Sequence, residues 1–444
     1  MVRTTGQSRQ ASDEPQSFLG CLRYFVTPYV WKQAQRALRR HKSIRWLTQP
    51  LIFVLLLMTW CCGDSVGERF ETARAFYVAC YQRKRRPGKT PEGFQKALAR
   101  VPTLAFRQVA AALRQRLAQV FCRRFEVAGF VPLGCDGSRL NCPRTPELEQ
   151  RLLSPKGRKR DYPPAIAVTA FVHLSLGLLW SWRLGGARAG EQRHLIEMLP
   201  TLPRKALIVA DAGYVGYGLL QKLQAAQQAF LIRLSDKAPL YVTQKIALSR
   251  FREGWAYYWP QRQQERHQKP TPVRLLRLRG RKVDVWLMTN VDAERLPRPL
   301  AKKFYRWRWR NEGLFRTYKR TLGKVKLMSR TLAQAHREAE GSLLAVRLML
   351  AQGVLALQLA GRSPSALPSA RRVLLEIRTE IRNATGMYLG RRQRQTYLER
   401  LKAARQDRPA IATTKCGDVG RLAPTTNHQN HPESSGWEHY LRNY

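Results

Sequence analysis

LAKKFYRWRWRNEGLFRTYKR, residues 300–320, holds a single acid among a dense run of bases. Between Arg295 and Arg337 the chain carries fourteen Lys or Arg and one carboxylate, Glu312. No Pro or Asp interrupts 300–320, and Pro297 and Pro299 stand just ahead of it, where proline suits a helix entrance. At about 100° per residue, Arg308 falls roughly 60°, Glu312 roughly 20° and Lys319 roughly 40° from Tyr305, all to the same side. A helix of uniform pitch therefore lines Tyr305, Arg308, Glu312 and Lys319 along one narrow face about 21 Å long. Such a face offers a carboxylate able to hold a hard cation, flanked by cations able to hold phosphate. The competing reading is a solvated basic helix with one stray acid, and the rest of the chain decides between them.

With 444 residues there is room for two or three domains with substantial cores. Hydrophobic residues make up 44% of the chain and aromatics 9%, a globular composition. The formal net charge of +49 is self-repelling unless it meets a polyanion, which makes nucleic acid the expected partner. The eight cysteines form no CxxC pair and no zinc-like spacing, so reduced thiols in a cytosolic protein are expected. The first twenty residues are polar with scattered charges and do not read as a signal peptide. The most apolar run, LIFVLLLMTWCC at 51–62, is short of a bilayer span and suits a buried helix, so no membrane is expected.

In chain order, residues 1–124 read as a helical N-terminal domain with DNA contacts, frayed over 1–16, basic at 83–86 and broken by Pro102. The texture changes at Phe125. FEVAGFVPLGCDGSRL (125–140) is strand-like and ends on Asp136 followed by Gly. A basic connection leads to two β-rich runs at 164–186, a hairpin turning at 176–177, then a short helix at 189–203. KALIVADAGYVGYGLLQKLQAAQQAFLIRLS (205–235) reads strand, turn, helix, strand, the first strand delivering Asp211 at its carboxyl end. This order describes an α/β layer fold with a mixed sheet over 125–236. Antiparallel strands at 255–260, 272–280 and 282–290 form a β-insertion spanning 237–296. The core resumes at 297–361 with the Glu312 helix and an apolar helical pair at 331–361. A basic helical region (362–405) and a polar, loosely ordered tail (406–444) close the chain.

Three carboxylates stand where context gives them a reason. Asp136 and Asp211 end apolar strands, and the carboxyl edge of an α/β sheet is the usual place for a site. Glu312 sits on the basic helix. Mg²⁺ or Mn²⁺ takes carboxylate oxygens and keeps substrate phosphates, and two such ions about 4 Å apart stabilise both oxygens of an in-line phosphoryl displacement. Glu191 and Glu197, on the short core helix, could substitute as a ligand. His173 and His194 suit structural roles, since two-metal chemistry needs no histidine base. Gly213, Gly216 and Gly218 crowd the turn after Asp211, yet no Lys-Ser/Thr follows, which argues against a nucleotide-binding P-loop.

Tyr305-x2-Arg308-x3-Glu312-x6-Lys319 resembles the YREK signature of the insertion-sequence-four family of DDE transposases. The likeness takes in the Asp-Gly-Ser strand end at Asp136, Ala-Asp-Ala-Gly-Tyr at 210–214 and the β-insertion ahead of Glu312, and covers roughly 125–350. Ala212 departs from relatives that often carry a charged or larger residue there. The resemblance implies an RNase H-like catalytic core with Asp136, Asp211 and Glu312 holding two Mg²⁺ or Mn²⁺ ions. It implies that Tyr305, Arg308 and Lys319 contact transposon-end phosphates. It further implies cut-and-paste transposition by a homodimer acting on terminal inverted repeats and target DNA in the bacterial cytosol or nucleoid. Water frees a 3′-OH that then attacks the target. Excision in relatives can pass through a DNA hairpin, helped by a Trp of the insertion that stacks on a flipped base; Trp286 is the candidate here, with Trp255 and Trp259 as competitors. Two other readings stand beside this one: a non-enzymatic DNA-binding protein or inactive remnant, and a nuclease of the same fold without strand transfer.

Overall fold

The structure, a computed structural model, describes residues 15–37, 46–81, 86–154, 162–235, 240–241, 253–280, 284–386 and 396–404. The polar tail, residues 1–14 of the frayed start and the basic runs at 83–85 and 156–160 lie outside the described residues.

The N-terminal part is helical: α1 (Phe18–Phe25), α2 (Pro28–Ala37), α3 (Thr48–Trp60), α4 (Val66–Cys80), α5 (Pro91–Ala99), α6 (Thr103–Val120) and α7 (Cys122–Phe125). Ser17, Ser65 and Thr90 cap α1, α4 and α5 by accepting a backbone N–H with their hydroxyls, and Pro102 separates α5 from α6. The α/β layer follows with β1 (Val131–Asn141), α8 (Pro146–Leu152), β2 (Ala165–His173), β3 (Leu178–Gly186), α9 (Glu191–Met198), β4 (Ala206–Ala210), α10 (Tyr217–Ala225) and β5 (Ala229–Arg233). Then come β6 (Leu240–Tyr241), β7 (Gly254–Tyr258), α11 (Gln261–Glu265), β8 (Thr271–Leu278) and β9 (Val285–Thr289). Helices α12 (Arg298–Trp307), α13 (Trp309–Arg316), α14 (Leu332–Leu359), α15 (Ala370–Ala384) and α16 (Tyr397–Ala403) complete the described residues.

The nine strands among the described residues form one sheet in the order β3-β2-β1-β4-β5-β9-β8-β7-β6. β1, β4 and β5 are parallel, and the other pairings are antiparallel. The β2–β3 hairpin turns at Gly177, whose φ of +66° suits glycine. The inserted strands thus extend the core sheet, because β9 pairs with β5. β2 is buried along its whole length, as its unbroken apolar run requires of a strand covered on both faces.

One apolar core joins the N-terminal helices, one face of β2, and α14, α15 and α16. The seam at residue 124 therefore separates chain segments rather than cores. The expected helical pair at 331–361 is instead a single 28-residue helix, α14, capped by Thr331. Gly341 does not break it; a Cβ there would lie 2.3 Å from Leu55, so the glycine lets α3 pack close. α14 is long and apolar enough to cross a bilayer, but 89% of its most apolar window is buried within the protein. The 51–62 run forms α3 and is likewise buried.

Candidate active site

The stretch 300–320 is not one uniform helix. α12 ends at Trp307, a tight turn passes through Arg308, α13 runs to Arg316, and Thr317–Thr321 is a turn of π-helix. The Asn311 N–H bonds to the Arg308 carbonyl three residues back, whereas the Leu322 N–H bonds to Thr317 five residues back. Two changes of pitch, one tight and one wide, replace the single face expected from uniform geometry.

Asp136 lies within β1, and the β1–β4 ladder runs in register through Gly134↔Val209. Two residues further on, that register sets Asp136 beside Asp211, just past the end of β4. Side chains alternate across a strand. Leu133 and Cys135 pack with Ala210 on one face of the sheet, and Val209 packs with Phe304 and Tyr305 of α12 on the other. Asp136 and Asp211 consequently share the α12–α13 face. Two glycines flank Asp136 for opposite reasons. A Cβ at Gly134 would lie 2.4 Å from the Asn311 amide of α13, and one at Gly137 would lie 2.2 Å from the Glu191 carboxyl of α9. The strand is thus pressed from both sides at its acid.

The Asp136 carboxylate accepts the Gly137 N–H at 2.8 Å. Burial nonetheless pushes its pKa up to about 6, and the charges of Asp211 and Glu191 add to the rise against the pull of Gly137 N–H and Arg308. Asp211 accepts the Gly213 N–H at 3.0 Å and caps the short turn Ala212–Tyr214. Glu312, on α13, stands 3.8 Å from Arg308, which is only 7% exposed and lies over the rings of Tyr305 and Trp309. The Arg308 Nε finds no acceptor, nor does either atom of the buried Asn311 amide find a partner. Arg308 therefore sits between Asp136 and Glu312 as an internal counter-charge. Glu312 also lines an open cavity of about 400 Å³ with Trp309, Arg310, Arg316, Leu367 and Pro368.

Among the described residues no three His, Cys, Asp or Glu side chains stand close enough to hold a metal ion as they are placed. The aspartates adjoin, while Glu312 is turned to Arg308. Of the expected DNA contacts, Tyr305 is 4% exposed and packs into the core behind α12. Lys319 is half-buried near Arg139 of β1, and burial together with that arginine lowers its pKa. Trp286 corrects an expectation: it is 6% exposed, packed in the core with Arg277 over its ring. β9 lies in the middle of the sheet and is covered on both faces, so this indole offers no free face to a base. Trp255 of β7 is 55% exposed. His173 and His194 are buried, and burial lowers both pKa values, that of His173 to about 3; each ring meets a hydroxyl, from Ser175 and Thr169 respectively. Sequence reasoning missed Asn311 and the placement of Glu191 against β1; the glycines in Leu-Gly-Cys-Asp-Gly, two before and one after the acid, were the available signal.

No curated protein matches the chain. A solved structure of a piggyBac transposase synaptic complex with hairpin DNA is similar at 11% identity and a TM-score of 0.46, covering 91% of this chain and 88% of that one. The family model of the transposase DDE domain matches residues 135–348, from the strand of Asp136 through Asp211 and Glu312 into α14. This stretch, a little under half of the chain, matches a transposase DDE domain, and that match supports a DNA transposase.

Proposed function

We propose that the chain is a cut-and-paste transposase of the insertion-sequence-four type. In this reading Asp136, Asp211 and Glu312 hold two Mg²⁺ or Mn²⁺ ions, and a homodimer acts on terminal inverted repeats and target DNA. The observation that carries it is the pair of aspartates on adjoining parallel strands, both facing the helix of Glu312. The donor chemistry fits hard divalent ions: all three side chains offer oxygens, and burial, with Asp211 and Glu191 nearby, lifts the pKa of Asp136 to about 6, a cost that a bound cation would relieve. Bound there, the ions would polarise the scissile phosphate and activate its attacking oxygen. The protein's own part is positional. The parallel strands fix the two aspartates, and α13 brings Glu312 to their face. Arg308 holds Glu312 and supplies positive charge beside Asp136. Lys319 and the basic run around it meet the DNA backbone, in keeping with a net charge of +49.

The test is incubation of the full chain with supercoiled DNA carrying the element's two ends, with Mg²⁺ or Mn²⁺. Nicks at the element boundary, followed by joining of the freed 3′ ends to target DNA, are expected. Binding without nicking would favour an inactive remnant, and nicking without joining a nuclease.

If excision passes through a hairpin, Trp255, the most exposed of the three candidate indoles, is the one best placed to stack on a displaced base. Trp255→Ala is then expected to slow the hairpin step roughly tenfold with end binding retained, in line with about 1–3 kcal/mol per stacked base. Trp286→Ala should act by a different route, lowering stability by about 3–5 kcal/mol through the cavity it leaves. Gel assays of hairpin formation beside denaturant unfolding separate the two; a hairpin defect from Trp286→Ala at unchanged stability would reverse the assignment.

A further inference from the structure

The sheet face that carries Asp136 and Asp211 is backed on its opposite side. Behind it, α9 begins at Glu191, and the Glu191 carboxylate accepts a hydrogen bond from the Tyr214 hydroxyl at 3.0 Å. Tyr214 is 1% exposed and closes the short turn that Asp211 opens. The next residue on α9, Gln192, donates its amide to the Gly213 carbonyl of that turn at 3.0 Å. Gly213 in turn donates its N–H to Asp211. On its other side the Glu191 carboxyl lies so close to β1 that a Cβ at Gly137, next to Asp136, would come within 2.2 Å of it. One carboxylate thus touches the strand of one aspartate and the turn of the other.

We propose that Glu191 is a positioning residue for the aspartate pair, clamping the Asp211 turn through Tyr214 against the β1 segment that carries Asp136. It deepens the reading of Asp136 and Asp211 as metal ligands and rests on it. Keeping a third carboxylate near two others is electrostatically unfavourable, so its position is expected to serve the site rather than stability. Burial holds the Tyr214 phenol well above its ordinary range, so it remains a hydrogen-bond donor across working pH. The acceptor role needs an oxygen, not a charge; a glutamine can fill it, whereas a metal ligand or counter-charge at this place could not be replaced by an amide.

The experiment is Mn²⁺ binding to the full chain, followed by electron paramagnetic resonance, with Mg²⁺-dependent nicking measured alongside. Glu191→Ala and Tyr214→Phe are expected to weaken Mn²⁺ binding about tenfold, the usual scale for losing a group that orients a ligand. Glu191→Gln should restore most of the loss. Gly137→Ala should reproduce the defect in the wild-type background by displacing the carboxyl, yet add little in the Glu191→Ala background, where the space is free. A defect as deep in Glu191→Gln as in Glu191→Ala would overturn the positioning role, and so would additive effects of Gly137→Ala and Glu191→Ala. If Asp136→Asn and Asp211→Asn leave Mn²⁺ binding unchanged, the parent reading fails; if they abolish it while Glu191→Ala does not weaken it, only the clamp fails.

Discussion

Asp136→Asn is expected to abolish strand cleavage and, at neutral pH, to make the protein more stable. Both effects have one cause. Burial, with Asp211 and Glu191 nearby, raises the carboxyl from its reference value of 3.8 to about 6. At about 1.36 kcal/mol per unit, this roughly two-unit rise costs the folded state about 3 kcal/mol when the group is ionised. The sign follows from proton uptake. The unfolded chain releases this proton near pH 4 and the folded chain near pH 6, so the penalty is fully present above about 6. It fades as pH falls toward 4, where both states are protonated. Asparagine removes the charge but keeps an oxygen for the Gly137 N–H. Its melting temperature should therefore exceed that of the wild type at pH 7.5, with the two converging near pH 4. Cleavage should drop by about a thousandfold or more, the loss expected when about 4 kcal/mol of charge stabilisation at the reacting phosphate disappears. End binding should persist, since it draws on Lys and Arg outside the pair. Asp211→Asn and Glu312→Gln should match the loss of cleavage. The wild type should itself lose activity as pH falls through about 6. Calorimetry from pH 4 to 8 and nicking assays check these; a less stable Asp136→Asn at pH 7.5, or one that still cuts, would remove the basis of the site.

The apolar runs that lead into Asp136 and Asp211 were legible because each stops at an acid followed within two residues by glycine, a local pattern, although β1 does not end at Asp136 as expected but continues to Asn141. The hairpin at Gly177 and the inserted strands were legible for the same kind of reason. The path of 300–320 was not. Its pitch changes where side chains must meet distant parts of the chain: Asn311 seats over Gly134, and the Tyr318 hydroxyl meets Ser342 of α14 at 2.6 Å. No helix propensity encodes those meetings. Nor could the sequence rank Trp255 against Trp286. Both sit in apolar, aromatic strands, and their exposure depends on strand order across the sheet, with β9 central and β7 near the edge. The clamp by Glu191 was hidden for a similar reason, since α9 reaches β1 only after β2 and β3 have folded back.

Arg347→Met is expected to cost the fold about 3 kcal/mol, although it removes a buried charge. Arg347 is fully buried in the middle of α14. Its guanidinium donates to the carbonyls of Leu179 at 2.7 Å, of Ala110 at 2.9 Å and of Trp180, and it lies 4.7 Å from the Trp182 ring. The β2–β3 register explains the need. Phe171 pairs with Ser181 and Val172 with Leu179, so Trp180 is the extra residue of a β-bulge. Bulged carbonyls lose their ladder partners, and in a dry core each unpaired one costs about 1–3 kcal/mol. Arg347 serves the bulge in β3 and ties it to α6. Methionine fills much of the same volume and returns the desolvation cost of the guanidinium, an effect of several kcal/mol in its favour. Against that stand the two bulge carbonyls of Leu179 and Trp180, together about 2–6 kcal/mol, and the lost ring contact, while the Ala110 carbonyl keeps its bond within α6. The orphaned carbonyls outweigh the relief. Arg347→Lys should fall between, because an ammonium cannot donate in three fixed directions from one planar fork. Denaturant unfolding of the three proteins gives the order directly. An Arg347→Met variant as stable as the wild type would mean that the bulge relaxes without its donor, and that apolar packing and the Trp182–Glu340 hydrogen bond suffice to hold β3 to α14.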